Sequence, residues 1–243
     1  MLFVKTDKLK RGMRLARPIY NKDGVLLYER NSKLTVQGIQ SIRTFGLIGL
    51  FILEPAEPVP PMTQEDIIFE RFQTITVFLI KDELDKIKQD KAKGNKFQGI
   101  VNNIMQRYGN LNKRINFIQN LRSREDYIYK HSLNVAILCA LMSHVLNMKW
   151  EEQMELVAAA LVHDIGKMSI PKAIAKKDNP NEDELEVIAT YEKAGYELIG
   201  TVFPSQPGMK RLCAQMNNIL SSAQTGNNDQ KGKVSLGAKV LAV

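Results

Sequence analysis

The sequence is poor in the features that mark secreted and membrane-spanning proteins. It has two cysteines in 243 residues, Cys139 and Cys213, each in an apolar helical context. This usage is typical of buried free thiols and excludes a disulfide framework. The longest apolar stretches, 135–142 and 157–162, are far shorter than the ~18–20 residues that span a bilayer. Since the charged N-terminus also has no signal-peptide pattern, we expect a cytoplasmic protein with no membrane partner.

The sequence has an excess of positive charge, but its charged residues are dispersed along the chain. The formal net charge is +8, with 34 basic and 26 acidic residues, which suits an anionic partner such as a nucleotide. The lysines are interspersed with acids, as in KIKQDKAKGNK at 86–96, and no basic run is interleaved with aromatic residues. The charge therefore favours solvated surfaces over a nucleic-acid-binding face. The chain length suggests two domains.

The first part of the chain predicts a small β-rich (α+β) module over residues 1–55. YNKDGVLL has an Asp-Gly turn before an apolar run, which is a hairpin signal. Val36, Ile39 and Ile42 have helical spacing. Residues 56–62 are rich in proline and without periodicity, so we interpret them as a linker.

The remainder predicts a mainly α protein. Apolar periodicity indicates connecting helices over 63–124 and a helical domain over 125–243. Asn181 is a candidate N-cap, with Glu182, Asp183 and Glu184 in the first turn of its helix. The individual helices are predicted at 97–108, 111–122, 125–147 and 150–165.

The chain has only three histidines, and two of them stand beside possible partners. His144 lies on a helix otherwise assigned to the core and is interpreted as structural. His163 is followed by Asp164, at the end of an apolar helix, and Gly166 then lets the chain turn before Lys167. An imidazole and a carboxylate at one spot are ligands that divalent metals accept. His131 begins a second apolar helix about thirty residues earlier.

Two stretches carry a family resemblance: HSLNVA, which begins at His131, and LVHDIGKMSIP at 161–171. They resemble the HD superfamily of metal-dependent phosphohydrolases, in particular its HD-GYP branch, whose working members hydrolyse cyclic di-GMP. The similarity spans about 125–243 and implies an HD-type helical bundle. GMRLARPIY and DGVLL in the first module look like modules found ahead of such domains.

The resemblance implies specific roles for four residues. His131, His163 and Asp164 would be ligands of a divalent metal such as Fe, Mn, Zn or Mg, with Asp164 placed to bridge two ions. Lys167 would face the substrate phosphate and act with Asp164 in catalysis, although a solvated turn lysine is an equal alternative. The implied substrate is a cyclic dinucleotide or another phosphoester, attacked by a water that the metal activates.

The chain departs from the family pattern at several positions. Tyr191 stands where a ligand histidine is expected, Asn217 and Asn218 stand where two more are expected, and no Gly-Tyr-Pro occurs. The last ligand of the family, an aspartate, would lie just beyond Val243, so we expect the domain to be incomplete at its C-terminus. The residues left could hold one metal or none, but not a two-metal centre.

Three hypotheses remain open from the sequence. The first is a degenerate HD-GYP-like signalling protein that binds a nucleotide or a protein partner and has lost or impaired phosphodiesterase activity. The second is an active phosphohydrolase that uses a reduced metal site. The third is a non-enzymatic bundle in which His131 and His163 only cap and pack.

Overall fold

The computed structural model describes residues 1–45, 47, 49–111, 127–175, 177, 179–225 and 234–243. The chain divides into two compact units. The described part of the first unit lies within Met1–Phe78 and includes Tyr127, and that of the second lies within Leu79–Lys113 and Ile128–Val243.

The first unit contains two small antiparallel sheets. β1 (Leu2–Lys5) and β2 (Arg14–Leu15) both pair with β5 (Gly49–Leu53), which gives the order β1-β5-β2. β3 (Ile19–Tyr20) pairs with β4 (Leu26–Tyr28).

The predicted hairpin is confirmed between β3 and β4. Its turn depends on Asn21, whose side-chain oxygen accepts hydrogen bonds from the backbone N–H groups of Asp23 and Val25. Gly24 has a φ of +73°, which favours glycine.

One helix completes the core of the first unit. α1 (Val36–Thr44) begins after Thr35, whose hydroxyl accepts a hydrogen bond from the Gly38 N–H. Ile39 and Ile42 are buried against the sheet residues, whereas Val36 is exposed. The core residues are Leu9, Leu15, Ile19, Leu34, Ile39, Ile42, Leu47, Leu50 and Ile52.

The first unit also contains the start of the long helix α2 (Gln64–Asp90). A buried ion pair links this part of α2 to the rest of the unit. The Arg17 Nε donates to Glu70 Oε1 at 3.1 Å, and both side chains are almost fully buried. The start of α2 is fixed by Thr63, whose hydroxyl accepts from the Asp66 N–H while the Asp66 carboxylate accepts from Thr63. This reciprocal pair satisfies backbone donors that the first turn of a helix leaves open.

Every regular element among the described residues of the second unit is a helix. This unit contains the end of α2 and seven further helices: α3 (Phe97–Tyr108), α4 (Tyr127–Val145), α5 (Trp150–Val162), α6 (Lys172–Ala175), α7 (Glu182–Val202), α8 (Pro207–Thr225) and α9 (Leu236–Leu241). Leu156–Val162 of α5 is buried on every side. This segment is central because α3, α8 and α9 all pack against α5.

The predicted fold class, a helical domain preceded by a small β-containing region, is confirmed. Asn181 caps α7 by accepting a hydrogen bond from the Glu184 N–H, as predicted. The helix predicted over 111–122 lies outside the described residues except at Leu111. None of the described helices is both long and apolar enough to cross a membrane. The domain boundaries at 55, 62 and 124 stay predictions.

Candidate functional site

The C-terminal end of the buried helix α5 carries the His-Asp pair. α5 ends at Val162, and the backbone leaves helical geometry at Asp164 before a short 3-10 segment, Ile165–Ser169. The Lys167 N–H donates to the Asp164 carbonyl oxygen at 2.9 Å, which closes the turn. Both His163 and Asp164 are buried. A buried carboxylate needs partners, because an isolated charge in the interior is strongly disfavoured.

Close backbone contact fixes the 3-10 segment against α7. A Cβ added to Gly166 would lie 2.4 Å from the Tyr191 carbonyl oxygen and 2.9 Å from the Glu192 Cα. A Cβ added to Gly195 would lie 2.7 Å from the Cα of Gly166. Only glycine permits backbones to approach this closely. The turn that carries Asp164 is therefore seated directly on the middle of α7.

The structure brings the three predicted metal ligands together. His131 comes from α4, and its Nε2 lies 3.7 Å from Asp164 Oδ2. His163 Nε2 lies 3.5 Å from Asp164 Oδ1. One ligand atom from each residue can be chosen so that all lie within 4.8 Å of one another, and among the described residues no other group of His, Cys, Asp or Glu does so.

A backbone hydrogen bond orients the His163 ring. The Nδ1 of His163 lies 2.7 Å from the carbonyl oxygen of Ala160, one turn earlier in α5. A carbonyl oxygen can only accept, so Nδ1 carries the hydrogen and the neutral ring presents the lone pair of Nε2. Metal-binding histidines commonly donate their other ring N–H in this way. Nε2 therefore faces the Asp164 carboxylate as a second electron-pair donor.

The two histidines of this group stand too far from Asp164 for direct hydrogen bonds. The N···O distances of 3.5 and 3.7 Å are longer than the roughly 2.7–2.9 Å of a charge-assisted hydrogen bond. The two distances go to different oxygens of the Asp164 carboxylate, Oδ2 for His131 and Oδ1 for His163. The donor set of two imidazoles and one carboxylate suits Zn²⁺, Fe²⁺ or Mn²⁺. By the chemistry of their donor atoms, His131, His163 and Asp164 could thus hold a divalent ion.

The electrostatics of the group favour an ionised Asp164 and a neutral His131. Burial alone would raise the pKa of Asp164, but His163, Lys167 and His131 together hold that pKa below its usual value. Burial lowers the pKa of His131, and His163 and Lys167 add to this effect, while Asp164 opposes it. These are the protonation states in which both groups can bind a metal.

Lys167 is the remaining predicted site residue, and it already has a partner. Its Nζ lies 2.8 Å from Asp164 Oδ1, the same oxygen that faces His163. The Lys167 side chain is 43% exposed, so it can also reach solvent or an anion. The Lys167 ammonium would therefore compete with a metal ion for Asp164 Oδ1.

The positions that depart from the family pattern lie on α7 and α8. Tyr191 contacts the site through its backbone carbonyl, which packs on Gly166. Asn217 is half-buried and Asn218 is exposed on α8.

Glu184 forms the reciprocal cap with Asn181 and pairs with Lys177. A structural function thus accounts for that glutamate.

Sequence reasoning missed Glu192, the residue after Tyr191. Its half-buried carboxyl interacts electrostatically with Lys167 and Asp164. Burial raises the pKa of Glu192, and Asp164 adds to the increase against the opposing effect of Lys167. The only signal in the sequence was an acidic residue next to a lost ligand, which by itself is too common to indicate a site.

The two cysteines are free and buried, as predicted. Burial raises the pKa of Cys139 to about 12, and burial together with Asp164 raises that of Cys213 to about 12. The Cys213 thiol packs on the Ala159 carbonyl at 3.8 Å. Neither thiol is available as a thiolate ligand near neutral pH.

Comparison with known proteins identifies an HD domain in the second unit. Residues 128–222 match the family model of the HD domain. A segment of 77 residues is 35% identical to the cyclic di-GMP phosphodiesterase PdeB of Borreliella burgdorferi, and it covers 31% of this chain and 20% of that protein. The chain thus spans about one fifth of the length of this curated relative. No solved structure matches the chain.

Proposed function

We propose that the second unit is a cation-binding module of the HD-GYP type that binds a cyclic dinucleotide or a related phosphoester in a signalling pathway, with its hydrolytic activity lost or strongly impaired. The observation that carries this proposal is the grouping of His131, His163 and Asp164, with donor atoms within 4.8 Å. Three ligands are enough for one divalent ion. The HD match over residues 128–222 and the partial similarity to a cyclic di-GMP phosphodiesterase support the assignment.

The loss of activity follows from the ligands that are missing. A pair of metal ions stabilises phosphoryl transfer because the ions share the charge of the attacking and leaving oxygens. Tyr191 can donate only as a phenolate, whose formation is costly because the reference pKa of tyrosine is about 10. Asn217 and Asn218 offer neutral amides, which bind transition metals more weakly than imidazole does. Tyr191, Asn217 and Asn218 therefore do not supply the ligands that a second ion needs.

Each retained residue has a proposed part in ligand binding. His131, His163 and Asp164 hold the cation, which when bound supplies a Lewis acid for a phosphoryl oxygen and can lower the pKa of a water. Lys167 pairs with Asp164 and is partly exposed. When Asp164 binds a cation, its ion pair with Lys167 is weakened. The Lys167 ammonium can then bind a phosphate oxygen of the ligand.

Binding and turnover with cyclic di-GMP test this function directly. The chain is titrated with cyclic di-GMP in the presence of Mn²⁺, Fe²⁺ or Mg²⁺, and the product is followed by chromatography. We expect saturable, metal-dependent binding with turnover that is slow or absent, and weaker binding in Lys167→Met. Lys193→Met, which removes an exposed lysine of α7, is the matched control and should bind like the wild type.

Two outcomes would contradict the proposal. Clear turnover that His163→Ala abolishes would show that hydrolysis is intact. Absence of binding with every metal would remove cyclic di-GMP as the ligand, and a panel of other phosphoesters would then have to show binding for the function to stand.

An active one-metal phosphohydrolase is the second candidate. It is favoured by the His163 hydrogen bond to Ala160, which keeps the ring in the orientation that a metal ligand needs. Catalytic zinc sites work with three protein ligands and an open position. Both candidates expect one ion per chain, so turnover separates them: this candidate requires hydrolysis of some phosphoester that depends on the bound ion.

A further inference from the structure

The HD-type site has a second acidic side chain within electrostatic reach, that of Glu192, which no family motif accounts for. Glu192 lies on α7, where the Gly166 backbone is seated: a Cβ on Gly166 would stand 2.9 Å from the Glu192 Cα. Gly166 is two residues from Asp164 and one from Lys167. The backbone of Glu192 is therefore fixed beside the turn that carries the site.

The Glu192 side chain is half-buried next to this turn. The charges of Lys167 and Asp164 both act on it. Tyr196, one turn further along α7, is in turn influenced by both Glu192 and Asp164. Glu192 is not one of the three residues whose ligand atoms lie within 4.8 Å of one another.

The charge of the group indicates what Glu192 contributes. Histidines bind a metal as neutral imidazoles and would add no charge, and the negative charge of Asp164 is offset by the ammonium of Lys167 at 2.8 Å. A site with no net charge attracts a divalent cation weakly, since affinity rises with the number of charged ligands. Burial disfavours the ionised form of Glu192, and a bound cation opposes this effect. When ionised, Glu192 restores a net negative charge and adds an oxygen donor on a flexible stem.

We propose that Glu192 is an acidic member of this cation site. It stands outside the group of three ligands, next to the histidine position that Tyr191 occupies, and its carboxylate can reach the ion as a fourth ligand. The inference rests on the proposed function, because it assumes that His131, His163 and Asp164 bind an ion. It adds a residue and a chemical role, an oxygen donor of negative charge. A carboxylate ligand at this position also favours Mn²⁺ or Fe²⁺, which bind oxygen ligands, over an ion that prefers only nitrogen and sulfur ligands.

Metal affinity, measured without any enzymatic assay, tests the inference. Wild type, Glu192→Gln, Glu192→Asp and Glu186→Gln are freed of metal and titrated with Mn²⁺ by calorimetry, with circular dichroism as a check of folding. Glu186 is an exposed carboxylate on the same helix, so its variant matches the loss of charge away from the site. We expect roughly 10-fold or greater weakening in Glu192→Gln and partial recovery in Glu192→Asp.

The outcomes separate this inference from the proposed function. If the wild type binds Mn²⁺ and Glu192→Gln binds it as tightly as Glu186→Gln does, the role of Glu192 is wrong while the three-residue site stands. If the wild type binds no divalent ion, both proposals are overturned. If Glu192→Gln does not fold, the comparison uses Glu192→Asp, which keeps the negative charge on a shorter side chain. An unchanged Mn²⁺ affinity in Glu192→Asp then overturns the proposal that Glu192 reaches the ion as a ligand.

Discussion

The His163 ring donates its Nδ1 hydrogen to the carbonyl oxygen of Ala160 at 2.7 Å, and this bond turns the Nε2 lone pair toward Asp164. In the neutral ring, this lone pair and Asp164 Oδ1 are two electron-pair donors 3.5 Å apart inside the protein. Such an arrangement is unfavourable unless a proton or a cation lies between the donors. The histidine and the aspartate are thus arranged to share a positive charge.

Removal of the Lys167 ammonium should strengthen cation binding. Lys167 Nζ lies 2.8 Å from Asp164 Oδ1 and competes with a metal ion for that oxygen. Lys167→Met therefore should lower the Mn²⁺ dissociation constant roughly threefold to tenfold, because the net charge of the site becomes more negative. Calorimetric titration measures this, with Lys193→Met as the control. A weaker affinity in Lys167→Met would mean that Lys167 organises Asp164 instead of competing for it.

The stability of the metal-free protein should fall as the pH drops below about 6.5, in part because of His131. Its pKa is lowered in the folded protein, chiefly by burial. The unfolded chain therefore takes up the proton first, which favours unfolding as the pH falls through the unfolded-state pKa. In His131→Gln, the loss of stability between pH 7.5 and pH 5.5 should be smaller. Urea denaturation in the presence of a chelator gives the comparison, and equal losses in both proteins would refute this role of His131.

Substitution of Gly166 should destabilise the second unit. Its Cβ would lie 2.4 Å from the Tyr191 carbonyl oxygen, a backbone atom that cannot move cheaply. Gly166→Ala should lower the free energy of unfolding by about 1–3 kcal/mol. Gly99→Ala is the matched control, since nothing lies within 4 Å of its Cβ on α3. That variant should gain about 0.4–1 kcal/mol, and equal effects at the two glycines would contradict the close contact.

The ion pair of the first unit should be sensitive to loss of one partner. Arg17 and Glu70 are almost fully buried and 3.1 Å apart. Arg17→Met leaves the carboxylate buried without its guanidinium and should lower the free energy of unfolding by about 3–5 kcal/mol. The exposed Arg43 of α1 is the control, and Arg43→Met should change it by no more than about 0.5 kcal/mol. Chemical denaturation measures both, and a change at Arg17 as small as that at Arg43 would refute the importance of the pair.

The helices were predictable where local signals agreed with one another. The structure places α3 at the predicted bounds of 97–108, because its apolar residues recur at the helical period and all pack inward. Asn181 was predictable as a cap because a short polar side chain before an acidic first turn satisfies open backbone donors. α5 was expected to reach residue 165 but ends at Val162, since the chain turns at His163 and Asp164 to form the 3-10 segment.

The candidate site was predictable only in part. His131 and Asp164 are 33 positions apart in the chain, and only the resemblance to a known family linked them before the structure placed their atoms 3.7 Å apart. Glu192 could not be found from the sequence, because its place beside the site depends on the contact between Gly166 and the backbone of α7. A contact of that kind leaves no periodic signal. The competition between Lys167 and a cation likewise depends on a side-chain distance.

The most direct test of the central claim is the number of divalent ions that the metal-free protein binds. Calorimetric titration with Mn²⁺, supported by elemental analysis of the dialysed complex, gives the stoichiometry for the wild type and for His163→Ala. The account predicts one ion per chain in the wild type and loss of that binding in His163→Ala, because His131, His163 and Asp164 form one site. Binding of two or more ions per chain at comparable affinity, or binding that survives in His163→Ala, would contradict it.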